Sequence, residues 1–376
     1  MTDFAKGLEG VTAAETEMSF IDGEKGVLEY VGVPIGDLAE HSNFEETVFL
    51  LWNKALPTAS QYESFTKELR ARYPLPGGLI DLIRSMPAST PPMHALRTLV
   101  SATSAYDDDP NATDPDKARD KALNILGYAP TIAAAFDRCR KGKDIVEPDP
   151  SMSFAANFLY MLNGEKPTET MARAFDICMI LHADHGLNNS TFTARVIIST
   201  LSDVYSAMTG AIGSLRGPLH GGANEGVIRM LNEIPSVEDA ESHIMGMMER
   251  KEKIMGFGHR VYKTKDPRAF ALQGLAEQLA KDTGNEDLYA KSRRIEEVME
   301  REVGAKGIYP NVDFYSATTY KCIGLDIDLF TPMFALSRLG GWAGHVIEQL
   351  SDNRLFRPKA KYVGPHDCPY VPIDQR

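Results

Sequence analysis

Two histidines lie in short, glycine-rich loops, and each loop stands close to the start of a predicted helix. His220 is followed by Gly221 and Gly222, and His259 follows Gly258. Because glycine has no side chain, such loops let a ligand approach the backbone closely. Apolar residues recur at helical spacing after the first loop, which places His220 at or just before a helix N-terminus. The partial positive charge there disfavours imidazolium, so we expect a neutral His220 that donates one N–H.

A carboxylate, Asp313, lies in the first turn of a helix that is predicted to begin at Tyr309-Pro310. Acidic residues at this position commonly do no more than complement the helix dipole. The same dipole would keep Asp313 ionised at neutral pH, which is the state that a general base requires. The position alone therefore leaves both interpretations of this residue open.

Three arginines stand on backbone that is predicted to be rigid or fixed by proline. Arg268 follows a capped helix start, Arg338 precedes two glycines at a predicted helix end, and Arg357 lies in the C-terminal tail. A guanidinium held in this way suits planar, bidentate recognition of a carboxylate, although a cation at a helix end needs no ligand. The three side chains are candidates for binding an anionic substrate.

The loop before His259 does not form a dinucleotide-binding fingerprint. Gly256-Phe257-Gly258 lacks both a preceding strand and the third glycine of that motif, so a Rossmann-type site is excluded. Lys263, shortly after this loop, is either solvated surface or a point charge for a phosphate group.

His182 and His185 are three positions apart and could form half of a metal site. No further ligands cluster near them in the sequence, and imidazoles at a helix C-terminal end also have capping uses. We therefore predict no metal site.

Composition restricts the class of protein and its partners. The chain has 376 residues, 43% of them hydrophobic, which is enough for one large domain or two unequal ones. A net charge of −12 without a block of clustered Lys and Arg argues against nucleic acid and acidic membranes as partners. Four cysteines lie far apart with no C-x-x-C pair, and no run of about 18 apolar residues occurs. These features predict a soluble cytoplasmic protein.

The pattern of elements predicts a mainly α-helical fold with a small N-terminal β-hairpin, formed by residues 17–21 and 27–31. Capping boxes that begin at Ser42 and Ser60 are typical of helix starts. Helical patterns cover residues 44–53, 61–72, 78–86, 92–105, 115–141, 153–162, 168–182, 189–215, 236–250, 266–281 and 287–303, followed by the helix that carries Asp313. Glycine and proline signals indicate a small domain at residues 221–320, with residues 1–220 and 321–376 forming a larger one.

Several motifs taken together closely resemble the citrate synthase family across nearly the whole chain. The motifs are His182-Ala183-Asp184-His185, Gly217-Pro218-Leu219-His220-Gly221-Gly222-Ala223-Asn224-Glu225, Gly256-Phe257-Gly258-His259-Arg260-Val261-Tyr262, Asp266-Pro267-Arg268 and Tyr309-Pro310-Asn311-Val312-Asp313-Phe314-Tyr315-Ser316. Further matching segments are Ile21-Asp22-Gly23, Gly32-Val33-Pro34-Ile35 and Asn157-Phe158-Leu159-Tyr160-Met161-Leu162. The resemblance implies a mainly helical, two-domain homodimer that closes over its substrates.

The resemblance also implies roles for individual residues. His220 and His259 would be the catalytic histidines, and Asp313 the base. His185, Arg268, Arg338 and Arg357 would bind oxaloacetate, with Arg357 reaching the site of the partner subunit. Acetyl-CoA would be a cosubstrate rather than a tightly bound cofactor, and no metal would be needed. The nucleotide of acetyl-CoA would lie along Gly256, Phe257 and Gly258, with Lys263 and Lys306 near its phosphates.

Three alternatives stay open at the level of sequence. A 2-methylcitrate synthase shares these motifs and uses propionyl-CoA. A catalytically silent helical binding protein would keep only the ligand pocket, although here all the acid–base residues are present. A histidine metalloenzyme would lose activity with a chelator.

Overall fold

The computed structural model describes residues 4–376, and within this range it is mainly α-helical, as the sequence predicts. The helices are α1 (Ile35–His41), α2 (Phe44–Asn53), α3 (Ala59–Arg70), α4 (Gly77–Ser85), α5 (Pro92–Ala102), α6 (Pro115–Arg140), α7 (Phe154–Asn163), α8 (Glu169–His182), α9 (Asn189–Ile198), α10 (Val204–Leu215), α11 (Ala223–Glu233), α12 (Asp239–Glu249), α13 (Pro267–Thr283), α14 (Glu286–Val303), α15 (Val312–Ile323) and α16 (Phe330–Ser351). Among the described residues, no helix is both long enough and apolar enough to cross a membrane.

A small antiparallel sheet near the N-terminus confirms the predicted hairpin. Strand β1 (Ser19–Asp22) pairs with β2 (Val27–Tyr30), so that Ser19 lies opposite Tyr30 and Asp22 opposite Val27. A two-residue third strand, β3 (Val33–Pro34), extends the sheet beyond the predicted pair. Helix α1, which has only seven residues, follows immediately and was not predicted.

One long predicted helix is in fact two. Residues 189–215 form α9 and α10, separated by a turn in which Leu201 has a φ of +61°. Asp203 then caps α10 by accepting a hydrogen bond from the backbone N–H of Ser206 at 2.7 Å. The apolar pattern continues across the turn because both helices bury a face in the same core, so hydrophobic periodicity alone does not reveal the break.

Two predicted helix starts are displaced by one or two residues. Asn43, rather than Ser42, caps α2, and Thr58, rather than Ser60, forms a capping box with Gln61 at α3. Each start offers two residues that can cap, Ser42 and Asn43 or Thr58 and Ser60, and the backbone conformation selects the one that does.

The predicted helix end near Arg338 is wrong, because α16 continues without a break from Phe330 to Ser351. Gly340 and Gly341 stand in its middle, where neighbouring elements leave no room for side chains. A Cβ atom at Gly341 would lie 2.1 Å from the carbonyl oxygen of Ala183, and one at Gly340 would lie 2.8 Å from Val48. These glycines allow close packing rather than terminate the helix.

The helices after His220 pack largely on one another. Helix α13 lies against α15 and α14, α11 lies against α15, and α12 lies against α14. This group also contacts the rest of the chain, since α13 packs on α1 and α8, and α15 packs on α8. The division into residues 221–320 and a larger remainder stays a prediction.

Candidate active site

Helix α8 ends at a segment that contains two histidines, His182 and His185, in different environments. His182 is buried, with its Nδ1 2.7 Å from the carbonyl oxygen of Cys178, and burial lowers its pKa to about 3. His185 is half-buried, and its Nε2 lies 3.1 Å from the hydroxyl of Tyr262. Within residues 4–376, no three His, Cys, Asp or Glu side chains lie together in a way that could hold a metal ion.

The loop before α11 holds His220 against α9. The N-terminal residue of α11 is Ala223, so His220 stands just before the helix, as predicted. Its Nε2 lies 2.8 Å from the hydroxyl of Ser190 and 3.4 Å from the backbone N–H of the same residue. Because a backbone N–H can only donate, we assign Nε2 as the acceptor and Nδ1 as the protonated nitrogen. Trp342 donates to the Ser190 hydroxyl at 3.2 Å and holds it in place.

The state of His220 agrees with the prediction, but its cause differs. Burial lowers its pKa to about 4, and the positive charge of Arg338 contributes further. The helix terminus is therefore not needed to explain a neutral imidazole at this position. The role of Ser190 could not be recognised from sequence, since it depends on a contact between residues 30 positions apart.

The second histidine loop is joined by backbone hydrogen bonds to the segment that precedes Asp313. The N–H of Gly258 donates to the carbonyl oxygen of Tyr309, and the N–H of Asn311 donates to that of Gly256, both at 2.9 Å. Phe257 forms an isolated β-bridge with Pro310. The two catalytic candidates on these segments are thus fixed relative to each other.

His259 is oriented by its own loop. Its Nδ1 accepts hydrogen bonds from the backbone N–H groups of Val261 at 3.0 Å and Tyr262 at 3.3 Å. Burial, followed by the charge of Arg268, lowers the pKa of His259 to about 4. The neutral ring therefore carries its proton on Nε2, where it is available as a donor.

Asp313 lies in the first turn of α15, but this helix begins at Val312 rather than at the predicted Tyr309-Pro310. Asn311 caps it by accepting from the N–H of Asp313 at 3.0 Å. Among the described residues, no donor lies within hydrogen-bond distance of the Asp313 carboxylate oxygens. Burial raises the pKa of Asp313 to about 6, against the opposing charge of Arg268. The carboxylate is ionised at neutral pH, as predicted, although burial outweighs any helix dipole.

Two buried arginines stand among these groups. Arg268 is the second residue of α13, after the cap Asp266 and Pro267, and it forms a bidentate pair with Asp266, through Nε at 3.0 Å and Nη2 at 2.7 Å. Arg338 donates from Nε to the carbonyl oxygen of His182 at 2.6 Å and lies over the ring of Phe334. Burial lowers the pKa of Arg338 to about 10. Its terminal nitrogens have no hydrogen-bond partner among the described residues.

The structure brings most of the predicted residues to one region. The rings of His185 and His259 are 5.2 Å apart, centre to centre, and both contact Tyr262. The charges of Arg268 and Arg338 act together on His185 and on Asp313, and that of Arg338 also acts on His220. The site therefore combines three neutral imidazoles, one carboxylate and two cations.

Three predicted residues lie at the surface. Lys263 and Lys306 are both exposed. Their loops are adjacent, because a Cβ atom at Gly307 would lie 3.0 Å from the carbonyl oxygen of Lys263. Arg357 is exposed in the extended segment after α16. Within this one chain, it is not brought to the site.

Comparison with known proteins gives consistent matches. A family model described as citrate synthase, C-terminal domain, matches residues 7–359. The citrate synthase of Haloferax volcanii is 50% identical over 379 residues, covering 100% of this chain and 99% of that protein. A citrate synthase from Thermoplasma acidophilum, solved as a ternary complex with carboxymethyl coenzyme A and oxaloacetate, has a TM-score of 0.93 at 36% identity and full coverage of both chains. The 2-methylcitrate synthase 1 of Corynebacterium glutamicum is 41% identical, covering 99% of this chain and 98% of that protein.

Proposed function

The chain belongs to the citrate synthase family, and on this basis we propose that it condenses acetyl-CoA with oxaloacetate and water to give citrate and CoA. The observation that carries the proposal is the set of protonation states around neutral pH. Asp313 has a pKa of about 6, and His220 and His259 each have one of about 4. One group can therefore accept a proton while two neighbours remain neutral donors.

Asp313 is the proposed base. It takes a proton from the methyl group next to the thioester, a weak carbon acid. Its carboxylate is half-buried and has no hydrogen-bond partner among residues 4–376 that would compete for its lone pairs. A raised pKa brings the base closer to the operating pH and increases the driving force for proton transfer.

The two histidines are proposed as hydrogen-bond donors at different oxygens. His220 donates from Nδ1 to the thioester oxygen as negative charge develops there, and a donor of this kind contributes about 10²- to 10³-fold in rate. The enol or enolate then attacks the ketone of oxaloacetate. His259 polarises and protonates the ketone oxygen through Nε2, and hydrolysis of the citryl thioester releases CoA.

Oxaloacetate is proposed to bind between His185, Arg268 and Arg338, with Arg357 supplied by the partner subunit. Arg268 and Arg338 are each about 2% exposed, so their charges are poorly screened by water. Among the described residues, Nη1 of Arg268 and both terminal nitrogens of Arg338 have no hydrogen-bond partner. Two such cations would hold a dicarboxylate locally in a chain whose net charge is −12.

The acyl-CoA nucleotide is proposed to lie along the loop of Gly256, Phe257 and Gly258. Gly256 and Gly258 have φ values of +81° and +79°, a backbone conformation that glycine adopts without strain. The exposed Lys263 and Lys306 stand on adjoining loops beside it, where they would meet phosphate groups. We propose CoA as a cosubstrate, with no tightly bound cofactor and no metal.

The assembly and location of the protein are also proposals. A homodimer is supported by the exposed position of Arg357, far along the chain from the other oxaloacetate ligands. Movement of residues 221–320 would close the site over its substrates and exclude water. All four cysteines are free, which supports a reducing compartment such as the cytoplasm.

The test is release of the CoA thiol, measured with oxaloacetate and either acetyl-CoA or propionyl-CoA. We expect oxaloacetate-dependent release with a preference for acetyl-CoA, since the citrate synthase match at 50% identity exceeds the 2-methylcitrate synthase match at 41%. Preference for propionyl-CoA would indicate 2-methylcitrate synthase instead. If neither thioester gives release of the CoA thiol, the protein would be a catalytically silent binding protein.

A further inference from the structure

The turn between β1 and β2 packs directly on the loop that carries His259. The backbone N–H of Lys263 donates to the carbonyl oxygen of Gly23 at 3.0 Å. A Cβ atom at Gly23 would lie 2.1 Å from the carbonyl oxygen of Val261, and one at Gly26 would lie 2.8 Å from the side chain of Thr264. Gly23 thus allows a backbone-to-backbone contact, and Gly26 allows the turn to approach the Thr264 side chain, where larger residues would prevent both.

The same hairpin also contacts the segment that carries His185. The hydroxyl of Ser19 donates to the Asp184 carboxylate at 2.7 Å and accepts from the N–H of Gly186 at 3.0 Å. The hairpin therefore joins the two histidine segments, one at its first strand and the other at its turn.

The contact at Gly23 reaches His259 through a single peptide unit. The carbonyl of Val261 and the N–H of Tyr262 belong to the same planar group, so the position of one fixes the direction of the other. That N–H donates to Nδ1 of His259 at 3.3 Å. A shift of the Val261 carbonyl would turn this donor away from the ring.

We propose that Gly23 is a positioning residue for His259, acting by holding the Val261–Tyr262 peptide unit against the hairpin turn. The inference rests on the proposed function, in which His259 donates from Nε2 to the ketone oxygen. Docking of the turn keeps Nδ1 as the acceptor and therefore keeps the proton on Nε2. It also fixes the backbone of Lys263, beside the proposed nucleotide site.

Gly23 is suited to a clean substitution because its φ lies outside the left-handed region. A glycine is required there because a side chain would not fit, and not because of the backbone conformation. Gly23→Ala would force the two segments apart by about 1 Å, and a displacement of that size can lower a rate about 10²-fold. Gly36→Ala is the matched control, since it stands on exposed backbone of α1 with nothing within 4 Å of its Cβ position.

The first test is steady-state kinetics of both variants over a range of pH. We expect Gly23→Ala to lower kcat about 10²-fold. We also expect the fall in its activity on the acid side of the pH profile to occur at higher pH and to become steeper. The change follows because His259 loses the Tyr262 N–H, a donor that favours its neutral form. Gly36→Ala should match the wild type. Wild-type kcat in Gly23→Ala, or a lower kcat with an unchanged pH profile, would overturn the proposal.

The second test uses hydrogen exchange and does not depend on catalysis. We expect the Lys263 amide to be protected in the wild-type protein, and segments 20–27 and 257–266 to gain protection together when oxaloacetate is added. Gly23→Ala should lose protection in both segments while α6 is unchanged. A Lys263 amide that exchanges like an exposed one would contradict the docking. If the wild-type protein releases no thiol, the proposed function is refuted. Hydrogen exchange of the wild type and Gly23→Ala would still test the contact between the hairpin turn and the His259 loop.

Discussion

At the scale of the residue, burial rather than a helix terminus sets the protonation states of the site. Burial raises the pKa of Asp313 to about 6, and it lowers the pKa of His220 to about 4. The same physical effect acts in opposite directions because it disfavours whichever form is charged. Burial therefore keeps His220 neutral, as hydrogen-bond donation requires, and it makes the Asp313 carboxylate more basic, while a pKa of about 6 still leaves that carboxylate ionised at neutral pH.

Asp313→Asn tests the base. The substitution keeps the size of the side chain and removes the proton acceptor, so kcat should fall by between about 10²- and 10⁴-fold. Folding and oxaloacetate binding should be nearly intact, as measured by thermal unfolding and by titration calorimetry. Asp116→Asn is a suitable control, because it removes an exposed first-turn acid from α6. Retention of more than about a tenth of the activity would be too much for loss of a general base.

The pH dependence of kcat/KM follows from the same carboxylate. Asp313 must be ionised to act, so kcat/KM should fall as pH decreases through about 6. Both histidines have pKa values of about 4 and should remain neutral across this range. A profile that is flat between pH 5 and 7 would show that no group with this pKa controls the reaction.

At the scale of the element, close packing at glycine positions determines where the functional segments lie. Gly341 in α16 stands against the Ala183 carbonyl, just before Asp184 and His185. The same helix carries Arg338 and, through Trp342, holds the Ser190 hydroxyl that contacts His220. One helix thus supports three parts of the site.

Gly341→Ala tests this packing. Alanine favours a helix over glycine by up to about 1 kcal/mol, but the added Cβ would meet the Ala183 oxygen at 2.1 Å. Overpacking of this kind costs about 1–3 kcal/mol, so urea unfolding should show a net loss of stability. Gly213→Ala in α10 has only an ordinary 3.8 Å contact and should be neutral or stabilising. Equal stability of the two variants would contradict the packing argument.

A further prediction concerns Asp176, which supports the start of α2. Its carboxylate accepts a hydrogen bond from the Phe44 N–H. Burial, followed by the charge of Glu45, raises the pKa of Asp176 from 3.8 to about 7. Because the folded pKa is raised, the stability that this group contributes is complete below about pH 4 and is lost as pH rises towards 7. The free energy of unfolding of Asp176→Asn, relative to the wild type, should therefore increase over this range. Parallel pH curves for the two proteins would contradict the raised pKa.

The sequence predicted those elements whose signals are local. Asp266-Pro267 fixes the start of α13 by its own capping chemistry, and the hairpin follows from alternation and turn residues. The break at Leu201 was missed because the apolar pattern continues across it, and the uninterrupted course of α16 was missed because Gly340 and Gly341 pack against neighbours that are distant in sequence. The site was predicted by family motifs, whereas the contact of Ser190 with His220 exists only in three dimensions.

At the level of the whole molecule, our proposal places Arg357 in the site of a partner subunit rather than in that of its own chain. The segment after α16 is anchored where the Phe356 N–H donates to the Ser199 hydroxyl at 3.2 Å, and where its ring contacts Phe192. Arg357, the next residue, is exposed. A cation held at a fixed point of the surface is well placed to enter the site of a second subunit.

Mixed dimers test that arrangement. Arg357→Ala should be nearly inactive, and so should Asp313→Asn. A heterodimer of the two contains one site with both residues intact, if Arg357 is supplied by the partner. We therefore expect random mixing of equal amounts to restore about a quarter of the wild-type sites, and purified heterodimer about half. If mixing restores nothing, the site is not shared between subunits.

Asp313, His220 and His259 are proposed to act together in one condensation, Asp313 and His220 at the thioester and His259 at the ketone. A crystal structure of this protein with oxaloacetate and carboxymethyl coenzyme A tests it most directly. We predict that the Asp313 carboxylate and Nδ1 of His220 both reach the carboxymethyl group, while Nε2 of His259 reaches the ketone oxygen of oxaloacetate. A complex in which any of these three side chains faces away from the bound ligands would rule out their joint action.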